Sequence, residues 1–219
     1  MAAKSASRHP QRKSSQVDEK AAFLNVPYDR KYEPLFLAFI AGLCGFGLTP
    51  RATAEVTTSN RRLEKIIGLI TECRYSFHDL SRVELDHVSP RTPRFNMPFE
   101  LGLVVSHGEH VNRRHEWFVF ESKPHRLKKS LSDLDGTDPY LHDGKARGVL
   151  RALSSAMFRK KKAPTLAELE QIYRDLRKAA RAIREQMEGG SLFDAKPFGD
   201  LVSTATELAK ERIAAFEAR

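Results

Sequence analysis

Short apolar runs of strand length alternate along this chain with stretches whose apolar residues recur at helical spacing, and that alternation constrains the fold most. The run Ala22 to Pro27 reads as a first strand, and Phe46 to Val56 holds a second. Tyr75 to Leu80 is a third, Trp117 to Glu121 a fourth, and Tyr140-Leu141 a short fifth. Between them, Leu35, Phe36, Phe39, Ile40 and Leu43 place a helix over 32–45, ended by Gly45 and Gly47. Leu63, Ile66, Ile67 and Ile70 form one stripe of a second helix, for which Asn60 is the expected cap. Asn96 is the expected cap of a third, with Pro98 in its first turn, and Gly144 to Phe158 is a fourth. Parallel strands need crossover helices, so the expected fold is α/β: a flavodoxin-like, doubly wound, mainly parallel sheet of about five strands.

Past Arg159 the pattern changes. Thr165 and Glu168 have the spacing of a capping box, and Leu169, Ile172, Tyr173, Leu176, Ala180, Ile183 and Met187 line one face of a long helix ended by Gly189-Gly190. A further helix covers 200–216. The expected organisation is a basic tail over 1–20, the α/β unit over 21–158, a basic linker over 159–165 and a C-terminal helical appendage over 166–219. The appendage is a candidate surface for self-association or a regulatory partner.

Of the 219 residues, 41% are hydrophobic, which suits a globular chain. The longest apolar run, Leu35 to Leu48, is broken by three glycines and falls short of the about 20 residues of a membrane span. The first twenty residues lack the apolar segment of a signal peptide. Cys44 and Cys73, both in apolar patterns read as helical, do not form a disulfide framework, and the expected compartment is the cytoplasm. The net charge of +9 permits attraction to nucleotides or nucleic acid, with Arg159 to Lys162 as one basic patch. His107, His110 and His115 lie in a loop-like segment without carboxylates at ligand spacing, so no metal is expected. No phosphate-binding glycine loop or serine elbow occurs, and no cofactor is expected.

In an open parallel sheet, ligands bind where strand ends and helix starts share a rim. Asn25, Pro27, Tyr28 and Asp29 follow the first strand; Arg51 and Glu55 end the second; His78 and Asp79 end the third; Asn96, Met97 and Glu100 open a helix. Glu100 sits among Phe99, Leu101, Gly102 and Leu103. A carboxylate in such a wall suits a nucleophile or the partner of an oxocarbenium-like centre, or it caps its own helix. Asp79 reads as a turn-maker or as an acid facing a sugar, and His78 as a structural or a catalytic imidazole.

Three blocks in order, Phe23 to Asp29, Glu72 to Ser81 and Pro93 to Gly102, resemble the nucleoside 2-deoxyribosyltransferase-like and TIR-like superfamily, in a bacterial antiphage-effector branch. The resemblance covers about residues 22 to 158. It implies that Glu100 attacks or stabilises an anomeric carbon and that Asp79 binds sugar or transfers a proton. Asn96 stands where the deoxyribosyltransferases show Asp, which favours hydrolysis over base exchange. The expectation is an N-glycosidase, NADase-like, that cleaves the ribose–base bond of a nucleotide or nucleoside and serves as a toxin in antiviral defence. Asp79 and Asn96 would then orient sugar hydroxyls, Tyr28 or Phe95 would stack on the base, and Arg51, Arg82 or Arg94 would meet phosphate. The competing expectation is a non-catalytic nucleotide-sensing or nucleic-acid-binding module.

Overall fold

Five parallel strands form one sheet in a computed structural model that describes residues 16–56, 61–85, 89–134, 136–159, 163–187 and 189–217. The strands are β1 (Asp18–Asn25), β2 (Thr49–Ala52), β3 (Cys73–Asp79), β4 (Glu116–Glu121) and β5 (Tyr140–Leu141). Their order is β2-β1-β3-β4-β5 and every pairing is parallel. This is the doubly wound arrangement expected, and its order reverses between β1 and β3, where such sheets open a crevice. The helices are α1 (Glu33–Gly45), α2 (Arg62–Glu72), α3 (Asn96–His110), α4 (Arg126–Ser130), α5 (Ala146–Ala156), α6 (Leu166–Glu185) and α7 (Ala195–Glu217).

Helix α1 is apolar on every side because it is enclosed on every side. Residues Leu35 to Gly45 are all buried, in one core with Leu24, Phe77 and Phe120 of the sheet, Leu150 and Leu153 of α5, Leu169 and Ile172 of α6, and Leu201 and Ala205 of α7. The glycines that interrupt its run permit this approach. A Cβ on Gly42 would stand 2.5 Å from Leu153 Cδ1, and one on Gly45 2.5 Å from Leu169 Cδ2. The helical appendage thus shares the core of the α/β unit, and the apolar face of α6 that offered an association surface rests on α1. Its capping box forms as expected: Thr165 Oγ1 accepts from Glu168 N at 3.3 Å and Thr165 N donates to Glu168 Oε2 at 2.7 Å.

Several local expectations change. β1 begins at Asp18, inside the segment read as tail, and Cys73 opens β3 where a helical pattern was read. Asn96 is the first helical residue of α3, not its cap; Phe95 holds the cap position and no side chain caps this helix. His107 and His110 lie on α3, not in a loop. Residues 1–15, Asn60 and 160–162 fall outside the described residues, so the Asn60 cap and most of the basic patch do too.

The turn after β5 packs directly on α5. A Cβ on Gly148 would lie 2.0 Å from the His142 carbonyl oxygen, a backbone atom without freedom to move aside. We expect Gly148→Ala to cost about 1–3 kcal/mol in chemical denaturation as overpacking against a fixed backbone. An unchanged midpoint would show that α5 and this turn separate at no cost.

Candidate active site at the strand ends

Side chains alternate across a strand, and at the end of β3 this sends two polar residues to opposite faces. His78 pairs in register with Asn25 of β1, and both face α3. Asn25 Nδ2 donates to His78 Nδ1 and to the Met97 carbonyl, each at 2.9 Å, and so clamps the first turn of α3 onto the sheet. With Nδ1 accepting, the imidazole proton belongs on Nε2, which is buried without a hydrogen-bond partner among the described residues. Burial, aided by His115, pushes the His78 imidazole down to about 3 and keeps it neutral. Asn25, expected to bind substrate, instead has its amide protons engaged by the protein.

Asp79 faces α1 and is fully buried. One oxygen accepts the Ser81 N–H at 2.7 Å, and the other accepts the Tyr32 hydroxyl. His142 Nε2 lies 3.1 Å from that second oxygen, though not aligned as a hydrogen bond, while His142 Nδ1 accepts from Gly144 N at 3.1 Å. Burial, with the Asp79 charge beside it, holds the Tyr32 phenol well above its ordinary value. Asp79 thereby ties together the start of α1, the end of β3 and the turn after β5. The sequence singled out neither Tyr32 nor His142: one reads as a helix start, the other as a lone histidine after a two-residue strand.

Glu100 is on the other side. It is the fifth residue of α3, on the buried face with Met97 and Leu101, and only 8% exposed. It caps nothing, and it has no hydrogen-bond partner among the described residues. Burial pushes its carboxyl up to about 7, with Arg62 at the start of α2 pulling the other way. Tyr28 feels its charge. Burial first, and the Glu100 charge with it, push the Tyr28 phenol up to about 12, against the hydrogen bonds it makes. Its hydroxyl bonds Thr53 Oγ1 at 3.1 Å and accepts from Ala54 N at 3.3 Å; its ring stacks on Phe193 at 5.4 Å between centroids. That stacking leaves Phe95 the better placed of the two expected base-stacking rings.

Beside Met97 opens a groove of about 450 Å³. Leu80, Val83, Phe95 and Phe99 give it apolar walls, with Phe95 and Phe99 66% and 54% exposed. Arg82 and Arg94 also line it, and both are held by Asp29: Oδ2 lies 3.2 Å from Arg82 Nη2 and 3.7 Å from Arg94 Nη1. Asp29 Oδ1 in turn accepts from Tyr32 N at 3.0 Å. Pro27 is buried just before this turn, and Asn96 is exposed at the start of α3, outside the lining of the groove. Arg51 is elsewhere. It lies in register with Phe23 and pairs with Glu55 at 2.8 Å and Glu72 at 3.9 Å.

Two further clusters are structural. His115 Nε2 lies 2.7 Å from Ser76 Oγ and its Nδ1 3.0 Å from the Cys73 carbonyl, and burial pushes its imidazole down to about 4. Glu121, ending β4, is 1% exposed and bound by Arg126, whose guanidinium also donates to the Ser81 carbonyl at 2.6 Å. Among the described residues no group of three or more His, Cys, Asp or Glu could hold a metal ion, and no helix is long and apolar enough to cross a membrane. Comparison of the chain with protein-family models, with curated proteins and with solved structures returned no match in any of the three.

Proposed function

We propose that the protein is an N-glycosidase that hydrolyses the ribose–base bond of a nucleotide, NAD or a related one, with Glu100 as its reacting carboxylate. The observation that carries this reading is a buried carboxyl without a hydrogen-bond partner among the described residues, on the helix whose first turn, Met97 to Phe99, lines a groove with aromatic walls and two arginines. In the reaction the C1′–N bond breaks and its electron pair leaves with the base. Ionised Glu100 faces the positive charge that develops at C1′, and then takes a proton from the water that attacks there. Phe95 stacks on an aromatic part of the substrate, and Arg82 and Arg94, aligned by Asp29, meet its phosphate. A base that carries positive charge, such as a pyridinium, departs neutral and needs no acid. One carboxylate therefore suffices for it, with Asp79 enclosed on the opposite face. The superfamily resemblance supports the same assignment and would make the protein a toxic defence effector.

Chromatographic detection of free base after incubation with NAD, ATP and nucleosides tests this. Release is expected to rise about tenfold per pH unit up to about pH 7, where Glu100 ionises, and to level off above it. Absence of release from all of them, or release unchanged in Glu100→Gln, would remove the enzyme reading. The enclosure of Asp79 by Tyr32 and Ser81 favours one alternative: a nucleotide-sensing module that occupies the same groove without turnover. It predicts saturable nucleotide binding with no base released.

A further inference from the structure

A second cavity, of about 340 Å³, lies away from the groove, between the start of α1 and the connection from α6 to α7. Arg30, Glu33 and Arg184 supply its charges, and Met187, Leu192 and Phe193 its apolar lining. Arg184 Nη2 pairs with Glu33 Oε2 at 2.5 Å, while Arg30 is exposed and has no ion-pair partner among the described residues. Among the described lining residues, two guanidiniums face one carboxylate, which leaves a positive charge beside an apolar wall. That combination suits an organic anion with one charged end and a flat or apolar body.

Phe193 faces two ways. It lines this cavity, and its ring stacks on Tyr28 at 24° between planes and packs against Phe36 at 4.6 Å. Tyr28 in turn adjoins Asp29, whose carboxylate holds Arg82 and Arg94 at the groove. One side chain therefore separates the cavity from the turn that holds the arginines of the groove.

We propose that this cavity is an effector site for a small organic anion seated between Arg30 and Arg184, and that its occupancy is relayed through Phe193 and Tyr28 to the turn at Asp29 that holds Arg82 and Arg94. Binding itself is independent of what Glu100 does; only the effect on turnover rests on the N-glycosidase reading. An anion that reaches Arg184 competes with Glu33 for it, so the Arg184–Glu33 pair opposes occupancy. Any movement of the 187–193 connection shifts the ring on which Tyr28 rests.

Calorimetric titration of the full chain with phenyl phosphate, benzoate and inorganic phosphate tests the site. Phenyl phosphate or benzoate should bind once per chain and more tightly than inorganic phosphate. Arg30→Gln or Arg184→Gln should weaken it about tenfold or more, as loss of a charge-assisted contact does. Glu33→Gln should tighten it, a change of sign that loss of structure does not produce, and Arg82→Gln in the other groove should leave it alone. No binding by any probe, or binding lost in Arg82→Gln and kept in Arg30→Gln, overturns the site. For the relay, the amide resonances of Tyr28 and Asp29 should move on binding in the wild type and stay still in Phe193→Leu titrated to saturation. Shifts confined to 184–193 in the wild type overturn it. Base release absent under every condition while binding persists removes the N-glycosidase reading and leaves the site standing.

Discussion

Glu100→Gln is expected to lower base release by about 100-fold to 10,000-fold, the range for loss of a single catalytic charge, and to make the protein more stable at pH 8. The second half follows from the burial of Glu100. A carboxyl held near 7 against an ordinary 4.5 keeps its proton more tightly in the folded chain than in the unfolded one. The stability linked to it is fully present below about pH 4.5 and is lost as the pH rises through about 7. At pH 8 the folded wild type therefore carries an ionised group in an apolar wall, at a cost on the order of 3 kcal/mol. Gln removes the ionisation but is itself a buried polar group, which leaves a net gain of about 1–2 kcal/mol. Near pH 4, where Glu100 keeps its proton, Gln should instead be the less stable protein by about 1–2 kcal/mol. Urea denaturation at pH 4, 6 and 8 reads the difference directly. A structural Glu100 predicts the reverse, with Gln the less stable protein at every pH. Loss of activity together with a gain of stability separates catalysis from folding in one variant.

The sheet was legible because its causes are local and periodic. Ala22 to Pro27, Tyr75 to Leu80 and Trp117 to Glu121 are short stretches rich in aromatic and aliphatic residues, with polar residues at their ends, and the helices between them make the sheet parallel. The alternation that sends His78 and Asp79 to opposite faces was also legible, as a period of two. Their partners were not: Tyr32, His142 and the Met97 carbonyl are brought in by the crossing of α1, β5 and α3. The α3 cap misled because Asn96 has the right chemistry at the wrong position, one residue inside the helix. Glu100 itself was visible as an acid in an apolar stretch. Its raised pKa comes from burial on the inner face of α3, which residue types alone do not encode.

The same kind of contact underlies the largest stability loss expected from a single substitution. Arg126→Met should destabilise the fold by about 3–5 kcal/mol, because it strands Glu121, 1% exposed at the end of β4, without the cation that compensates it. The guanidinium does more than neutralise. It holds Glu121 through Nε at 2.6 Å and reaches the Ser81 carbonyl at 2.6 Å and Ser122 Oγ at 3.0 Å, so it joins β4, α4 and the segment after β3. Replacing both partners, Glu121→Leu with Arg126→Met, removes the uncompensated charge. This should recover at least about 2 kcal/mol, since a well-packed apolar pair often matches a buried ion pair. The double variant still leaves the Ser81 carbonyl without its donor. Arg82 is the next residue, so the double variant should fold yet bind nucleotide more weakly than the wild type. A double variant no more stable than Arg126→Met would show that the loss comes from the Ser81 and Ser122 contacts and not from the buried charge. Comparison of the single and double variants by urea denaturation, with nucleotide titration of the double, thus separates what Arg126 does for the fold from what it does for the groove.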